Sequence, residues 1–193
     1  LPQPTTWSDL TDPRYRSWIA LSDPAHSGSI AVTYEAIVRR MGWTKGWRTL
    51  REAFANARYF TSSSSKVPVD VSNGEAAAGM CIDFYGRFQA GAIGGNRVGY
   101  IDPAYMTAIN ADPLSILRGA ERPDLALEFV QWTLSEDAQR LWQRRLEAPD
   151  GPEQFELRRL PIRRDMYTPQ EMSYWVDDVN PFAIASPFPE GVP

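Results

Sequence analysis

Three short apolar runs, each followed by a polar loop and then by a helical pattern, constrain this chain most. The runs are 18–21 (WIAL), 57–60 (ARYF) and 76–82 (AAAGMCI), and their length and composition are typical of buried strands. After the first run, apolar residues recur at helical spacing over 30–41. Strands that alternate with helices predict an α/β fold, with a largely parallel sheet and flanking helices.

Further elements follow from the same patterns. Gly42 is a suitable end for the first helix, and Thr44 is a suitable N-cap for a second. A short helix is predicted over 67–73, and a helix or turn begins at residue 83. The run 97–101 (RVGYI) predicts a fourth strand.

The second half of the chain is predicted to be helical. Apolar spacing gives a helix over 124–134, and Ser135 is placed to cap the next helix. The proline-rich tail, 180–193, is expected to be extended or poorly ordered. One basic cluster is interpreted as a solvated or salt-bridged segment: Arg158, Arg159, Arg163 and Arg164.

Composition excludes several classes of function. The net charge is −4 with both signs interspersed, so no nucleic-acid partner is expected. One histidine and one cysteine cannot build a Cys/His zinc site. Cys81 lies in an apolar run and is interpreted as a buried, inert thiol. No apolar run approaches the ~20 residues that a membrane helix needs.

The loops at the carboxyl ends of the strands are the candidate site, because open α/β sheets bind ligands there. The first loop places Ser27, Gly28 and Ser29 at a helix start, where unpaired N–H groups and the helix dipole attract anions. The second loop, 62–65, repeats this pattern with four serines. The alternatives are that one serine only caps a helix and that the second loop is merely flexible.

The third loop brings Asp83, Phe84 and Tyr85 to the same edge. An Asp and a Tyr there can bind a hydroxyl, an amine or a metal; alternatively, Asp83 caps a helix and Phe84 is core. His26 cannot form a catalytic triad with its sequence neighbours, and the chain has no G-x-S-x-G, P-loop or G-x-G-x-x-G motif. Neither an enzyme nor a cofactor is predicted.

Several segments resemble, in their order, those of periplasmic solute-binding proteins of bacterial ABC transporters. They are SDPAHSGSI, SSSSKVPVDVSNGEAAAGMCIDFY and the region VGYIDPAYMTAINADPLSILRGAERPDLALEFVQWTLSEDAQRLW. The resemblance is to the branch that includes ferric-iron, polyamine, phosphonate and sugar-phosphate binders, and it covers roughly residues 7 to 145.

This resemblance implies a type 2 periplasmic binding fold, in which two lobes close on a ligand. Residues 1–106 correspond to the second lobe, and 107–193 to a hinge return strand and the C-terminal helical part of the first lobe. The rest of the first lobe is absent from these residues, so it or another chain is expected to cover 124–145. The implied partner is a membrane permease, and the implied location is periplasmic or extracellular, membrane-associated through the transporter.

The expected ligand is a small anionic solute bearing a phosphate, phosphonate or carboxylate. Its predicted contacts are His26, Ser27, Gly28, Ser29, Ser63, Ser64, Asp83 and Tyr85. The alternative is a ferric-iron-binding protein that uses Tyr85 and Asp83 with an exogenous anion. In ferric-binding members two adjacent tyrosines coordinate iron, whereas Phe84 replaces one of them here. A regulator's effector domain on the same fold would need a DNA-binding segment, which these residues lack.

Overall fold

The computed structural model describes residues 1–109 and 112–185. The described residues divide into two compact units: residues 1–109 with 183–185 form the first, and residues 112–182 form the second. Within the described part, none of the helices combines the length and the apolar character that crossing a bilayer demands. Assignment of residues 1–106 and 107–193 to particular lobes stays a prediction.

A three-stranded parallel sheet lies at the centre of the first unit. Strands β1 (Ile19–Ser22), β2 (Ala57–Thr61) and β3 (Ala78–Gly79) are arranged in the order β2-β1-β3. All four residues of β1 are fully buried. The predicted α/β class with a parallel sheet is therefore confirmed.

Three strand predictions need correction. β3 covers only two residues of the predicted run 76–82. The segment 97–101 forms no strand, so the predicted fourth strand is wrong. Its Tyr100 ring instead lies 5.0 Å from the guanidinium carbon of Arg87. Side-chain packing therefore fixes this segment, rather than pairing with the sheet. The first strand also begins one residue later than predicted, after the half-exposed Trp18.

Helices follow each strand, as the alternating pattern predicts. They are α1 (Gly28–Met41) and α2 (Trp43–Ala55) after β1, α3 (Lys66–Ser72) after β2 and α4 (Asp83–Ile93) after β3. Two 3₁₀ helices, Trp7–Thr11 and Pro13–Tyr15, precede β1.

A single glycine connects α1 to α2. Gly42 ends α1 as predicted, and its φ of +79° is one that L side chains rarely adopt. Gly42 is also the N-cap of α2, so the prediction that Thr44 holds that position is wrong. The helices then pack closely, because a Cβ added to Gly46 would lie 2.5 Å from the Val38 Cα.

The main core of the first unit fills the space between the sheet and the first two helices. Its fully buried members include Ile19, Leu21, Ile30, Ile37 and Leu50. Residues from β1 and α1 therefore anchor the loop that joins them, which is the first candidate ligand loop.

The second unit is built from helices and irregular segments. Its helices are α5 (Pro123–Thr133), α6 (Glu136–Gln143) and α7 (Pro169–Met172), with a 3₁₀ helix at Arg164–Met166. Ser135 caps α6 by accepting a hydrogen bond from the Ala138 N–H at 3.2 Å, as predicted. The predicted extended tail is partly wrong, because Pro181–Ile184 forms the short helix α8. Residues 186–193 lie outside the described part.

The basic cluster of the second unit is engaged within the protein. Arg158 pairs with Asp177, Arg159 pairs with Asp112 at 2.5 Å, and Arg163 pairs with Asp165. The guanidinium carbon of Arg164 lies 4.1 Å from the centroid of the Phe182 ring. The interpretation of this segment as salt-bridged is confirmed.

Helix α5 exposes a large part of its apolar surface. Leu125, Phe129 and Trp132 retain 52%, 54% and 46% of their accessible surface. This agrees with the expectation that an isolated chain exposes apolar surface over 124–145; what covers it stays a prediction.

Candidate functional site

The first loop turns around Asp23 immediately after β1. The Asp23 carbonyl accepts hydrogen bonds from the N–H groups of His26 and Ser27, at 3.1 and 3.0 Å. Its carboxylate accepts from the Ala25 N–H at 2.9 Å and lies 3.0 Å from His26 Nδ1. The Ala25 hydrogen bond, followed by the contact with His26, lowers the pKa of Asp23. This turn fixes the entry into α1 and leaves the His26 side chain largely exposed.

Helix α1 begins without the usual side-chain partners for its first N–H groups. Ser27 occupies the N-cap position, but no side chain caps the helix, and its first turn carries no acidic residue. The alternative that a serine simply caps this helix is therefore wrong. A Cβ added to Gly28 would meet no atom within 4 Å, so the space beside the first turn is open. The partial positive charge of this helix end is left without a neighbouring carboxylate in the first turn.

A chain of three serine hydroxyls joins the first loop to the second. Ser27 Oγ lies 3.3 Å from Ser29 Oγ, and Ser29 Oγ lies 3.0 Å from Ser64 Oγ. Ser27 and Ser64 are buried, whereas Ser29 is partly exposed. We call Ser27, Ser29 and Ser64 the serine cluster. Sequence reasoning placed both loops at one sheet edge, and the structure brings them into direct contact.

Ser63, also predicted as a ligand residue, does not join this cluster. Its N–H donates to Thr61 Oγ1 at 2.9 Å, and its hydroxyl lies 2.8 Å from Ser65 Oγ. Ser62 is exposed and makes no side-chain hydrogen bond within the described part of the chain. The second loop therefore contributes Ser64 to the cluster, while its other serines have local or no partners.

The third loop is dominated by a buried arginine that sequence reasoning missed. Arg87 on α4 is only 5% exposed, and it donates to Asp83 Oδ2 at 2.6 Å and to Asp102 Oδ2 at 2.5 Å. Asp83 is the first residue of α4, whose N-cap is Ile82, so the alternative that Asp83 caps the helix is wrong. We call Asp83, Arg87 and Asp102 the arginine clamp. The spacing of Asp83 and Arg87, one helical turn apart, was the available signal.

Tyr85 lies on α4 beside this clamp. Its ring contacts that of Phe84, with centroids 4.4 Å apart, and the residue is 40% exposed. Among the described residues, no hydrogen bond or ion pair links Asp83 or Tyr85 to the serine cluster. The predicted site therefore consists of two regions, one of hydroxyls and one of charges.

Two groups near the site, the buried Tyr34 and the partly buried Cys81, remain neutral over the ordinary pH range. The Tyr34 hydroxyl on α1 donates to the carbonyl of Ser22 at 3.1 Å, and burial raises its pKa well above its usual value. Burial, reinforced by the Asp83 charge, raises the pKa of the Cys81 thiol to about 12. The interpretation of Cys81 as an unreactive thiol agrees with this shift.

Of the two residues proposed as iron ligands, Asp83 and Tyr85, the first is not free to bind a metal ion. Asp83 already accepts a hydrogen bond from Arg87, so a metal ion at that oxygen would have to displace a guanidinium. Across the part of the chain that the structure describes, no group of three or more His, Cys, Asp or Glu side chains is arranged to hold a metal ion.

A large cleft in the first unit is lined by residues of β3 and of the N-terminal segment. It has a volume of about 870 Å³ and is lined in part by Trp7, Trp18, Val71, Met80 and Tyr100. None of the predicted ligand residues lines it. Sequence reasoning did not anticipate this cleft, because its lining includes the segment 97–101, which was predicted to be a strand of the sheet.

Comparison with known proteins gives consistent results. A family model described as a bacterial extracellular solute-binding protein matches residues 1–171. The phosphoglycerate transport regulatory protein PgtC of Salmonella typhimurium is 27% identical over 141 residues, which are 73% of this chain and 34% of PgtC. The chain thus spans about a third of the length of this curated relative.

Solved structures show the same fold. The periplasmic binding protein AfuA from Actinobacillus pleuropneumoniae, with exogenous fructose-6-phosphate bound, has a TM-score of 0.64 and 24% identity, covering 85% of this chain and 54% of AfuA. An ABC transporter structure from Clostridium perfringens has a TM-score of 0.57 and 19% identity, covering 96% of this chain and 57% of that one.

These matches also bear on class and location. The family and its structural neighbours are solute-binding proteins rather than enzymes, and the family is extracellular, in the periplasm or outside the cell. Because the family model matches most of its length, the chain belongs to the bacterial extracellular solute-binding protein family.

Proposed function

We propose that this chain forms part of the solute-binding component of an ABC importer, and that its solute is a small anion carrying a phosphate, phosphonate or carboxylate group. The observation that carries this proposal is the 3.0 Å contact between Ser29 Oγ and Ser64 Oγ. It unites two serine-rich loops beside an uncapped helix start.

The chemistry of the serine cluster suits an oxyanion. Hydroxyl groups can each donate one hydrogen bond, and the uncapped N–H groups of the first turn of α1 add further donors. The helix dipole favours negative charge at this end, and no carboxylate of the first turn competes for it. Gly28 leaves open space, so an anion can approach the backbone. His26 lies largely exposed at the rim and would add positive charge when protonated.

The arginine clamp would recognise the remainder of the solute. Arg87 occupies Oδ2 of Asp83, and Asp83 retains partial exposure. The other carboxylate oxygen can therefore accept a hydrogen bond from a solute hydroxyl or amine. The half-exposed Tyr85 offers an aromatic ring and a hydroxyl beside it. This combination suits a phosphorylated sugar or an aminophosphonate better than inorganic phosphate alone.

The names of similar proteins support a phosphate-bearing solute. PgtC is named for phosphoglycerate transport, and AfuA was solved with fructose-6-phosphate. Both compounds combine a phosphate with hydroxyl groups, which is the chemistry that the two regions of this site offer. No observation favours the ferric alternative in the same way.

The importer role implies further partners. We propose a membrane permease as the partner that receives the solute, and through it an association with the membrane. We also propose that additional protein, either more of the same lobe or another chain, covers the exposed apolar face of α5.

An NMR titration of the 193-residue chain tests the ligand class, because it detects weak as well as tight binding. We expect glucose 6-phosphate to shift the amide signals of Gly28, Ser29 and Ile30 in a saturable way, and glucose to leave them unchanged. A chain whose spectrum responds to neither glucose 6-phosphate nor 2-aminoethylphosphonate would contradict the proposal. Ferric citrate tests the alternative: a tyrosinate colour that is lost in Tyr85→Phe would favour iron instead.

A further inference from the structure

Two stretches of consecutive residues line the cleft of the first unit. One is 77–81, which contains β3, and the other is 96–101. Side chains of an extended segment alternate between its two faces, so a cleft that touched one face would be lined by every second residue. Lining by each residue in turn indicates that the cleft meets these stretches along their backbone edges.

The backbone groups along both edges lack partners within the described part of the chain. Strand β3 pairs with β1 on one side and lies at the edge of the sheet. The backbone N–H and C=O groups of 98–101 make no hydrogen bond to other described residues. An unpaired edge of this kind is a template on which a further strand can form.

The segment 97–101 has the pattern of a strand that has no neighbour to pair with. Its composition predicts a strand. Its burial also alternates, because Val98 and Tyr100 are half-buried whereas Arg97 and Gly99 are exposed. This two-residue period is that of a strand, so a pairing partner is what the segment lacks.

The walls of the cleft come from two apolar cores on opposite faces of the sheet. Leu21 of β1 lies in the main core, whereas its neighbour Ala20 lies in a second core. Successive residues of a strand point to opposite faces, so the two cores flank the sheet. Leu10 from the main core and Val67 from the second both line the cleft. An occupant of the cleft would therefore meet apolar side chains on both of its faces.

We infer that the cleft accepts an extended, apolar segment of polypeptide from outside these 193 residues, which adds a strand to the sheet between β3 and 97–101. Its backbone would pair with both edges, and its side chains would reach both cores. A strand that is buried on both faces is apolar along its length rather than at every second position. The inference does not depend on the identity of the solute, because none of the predicted ligand residues lines the cleft.

An extended peptide suits the cleft better than a small apolar molecule does. The open edge of β3 and the backbone of 98–101 carry N–H and C=O groups along the cleft. An apolar molecule would remove these groups from water without giving them hydrogen-bond partners, which costs free energy. A polypeptide backbone supplies donors and acceptors at the spacing at which a strand edge presents them.

Selection of phage-displayed random heptapeptides on the 193-residue chain tests the inference. We expect the enriched peptides to be apolar at most central positions and to lack a central proline, since proline has no N–H to donate. One enriched peptide, synthesised with flanking lysines for solubility, should shift the amide NMR signals of 77–81 and 97–101 in a saturable way. It should leave the signals of α5, which also exposes apolar side chains, unchanged. Absence of enrichment, or shifts confined to other parts of the chain, would overturn the inference.

Two neighbouring proline variants test pairing through the backbone. Successive N–H groups of a strand point to opposite edges, so only one of Val98 and Gly99 directs its N–H into the cleft. We expect either Val98→Pro or Gly99→Pro to weaken peptide binding about fivefold, and the other to retain it. Trp132→Ala, at an exposed aromatic side chain of α5, should also retain it. Circular dichroism checks that each variant is folded, and equal effects of the two prolines in folded variants would contradict strand addition.

The result is separate from that of the solute titration. Glucose 6-phosphate is expected to shift the signals of residues 28–30, whereas the peptide is expected to shift those of 77–81 and 97–101. Failure of one proposal therefore leaves the other standing.

Discussion

The serine cluster and the arginine clamp follow strands of the same sheet, yet they are built in opposite ways. The serine cluster consists of neutral hydroxyls beside a helix start that no side chain caps. The clamp places a buried guanidinium between two carboxylates at 2.6 and 2.5 Å. The serine cluster lies beside N–H groups that no side chain caps, whereas the charges of the clamp are paired mostly with one another. The serine cluster therefore has more donors available to a ligand, whereas the clamp stabilises α4 and offers a solute only the second carboxylate oxygen of Asp83.

Removing the arginine should have the largest effect on stability. Arg87→Met leaves Asp83 and Asp102 facing each other without a cation. We expect a loss of about 3 kcal/mol in the free energy of unfolding, at the low end for a broken buried ion pair because Asp83 is partly exposed. Urea denaturation measures it. Arg48→Met, at an exposed pair with Glu52, should change stability far less, because solvent screens an exposed ion pair. Equal losses in both variants would show that the clamp stabilises the fold no more than an exposed ion pair does.

Two glycines allow a matched test of the two regions. A Cβ at Gly86 would lie 2.2 Å from the Tyr100 ring, whereas a Cβ at Gly28 would meet nothing within 4 Å. Gly86→Ala should therefore cost about 1–2 kcal/mol, since the ring that covers Arg87 must move. Gly28→Ala should leave stability unchanged or raise it by up to about 1 kcal/mol, and should weaken anion binding. Thermal unfolding of both variants provides the comparison, which fails if Gly28→Ala is the more damaging.

The smallest predicted effect on stability comes from the ionisation of Cys81, which lies beside the clamp. Its pKa is raised from 9.0 to about 12, so the folded state keeps the thiol protonated where the unfolded chain ionises it. Below pH 9 the thiol is protonated in both states, so it does not change the free energy of unfolding. As the pH rises from 9 toward 12, stability declines because only the unfolded chain ionises. Alkylation by iodoacetamide at pH 9 should be slow in the native chain and fast in urea. Rapid alkylation of the folded chain would show that Cys81 is accessible.

The sequence was most informative where structure is local. The run into β1 and the start of α1 near Gly28 follow from neighbouring residues, and the parallel sheet predicted that the two serine loops lie at one edge. The contact between Ser29 and Ser64 itself was not predicted. Local patterns were insufficient at 97–101, which has strand composition but packs through Tyr100 instead. Strand formation there depends on a pairing partner, which no local pattern supplies.

The clamp was missed for a related reason. Arg87 is four residues from Asp83 but 15 residues from Asp102, and the longer contact forms only when the chain folds back onto α4. The helical spacing with Asp83 was visible in the sequence, yet such pairs are common on exposed helix surfaces. Burial distinguishes Arg87 from them, and burial is a property of the tertiary structure.

In the proposed function, the serine cluster binds the anionic part of the solute. Binding of glucose 6-phosphate by Ser29→Ala/Ser64→Ala, compared with Ser62→Ala, tests it most directly, because Ser62 belongs to the same loop but makes no side-chain hydrogen bond in the described structure. We predict that the double variant loses affinity about tenfold or more and that Ser62→Ala binds as the unmodified chain does. Equal affinities in all three proteins would show that the serine cluster does not bind the anion.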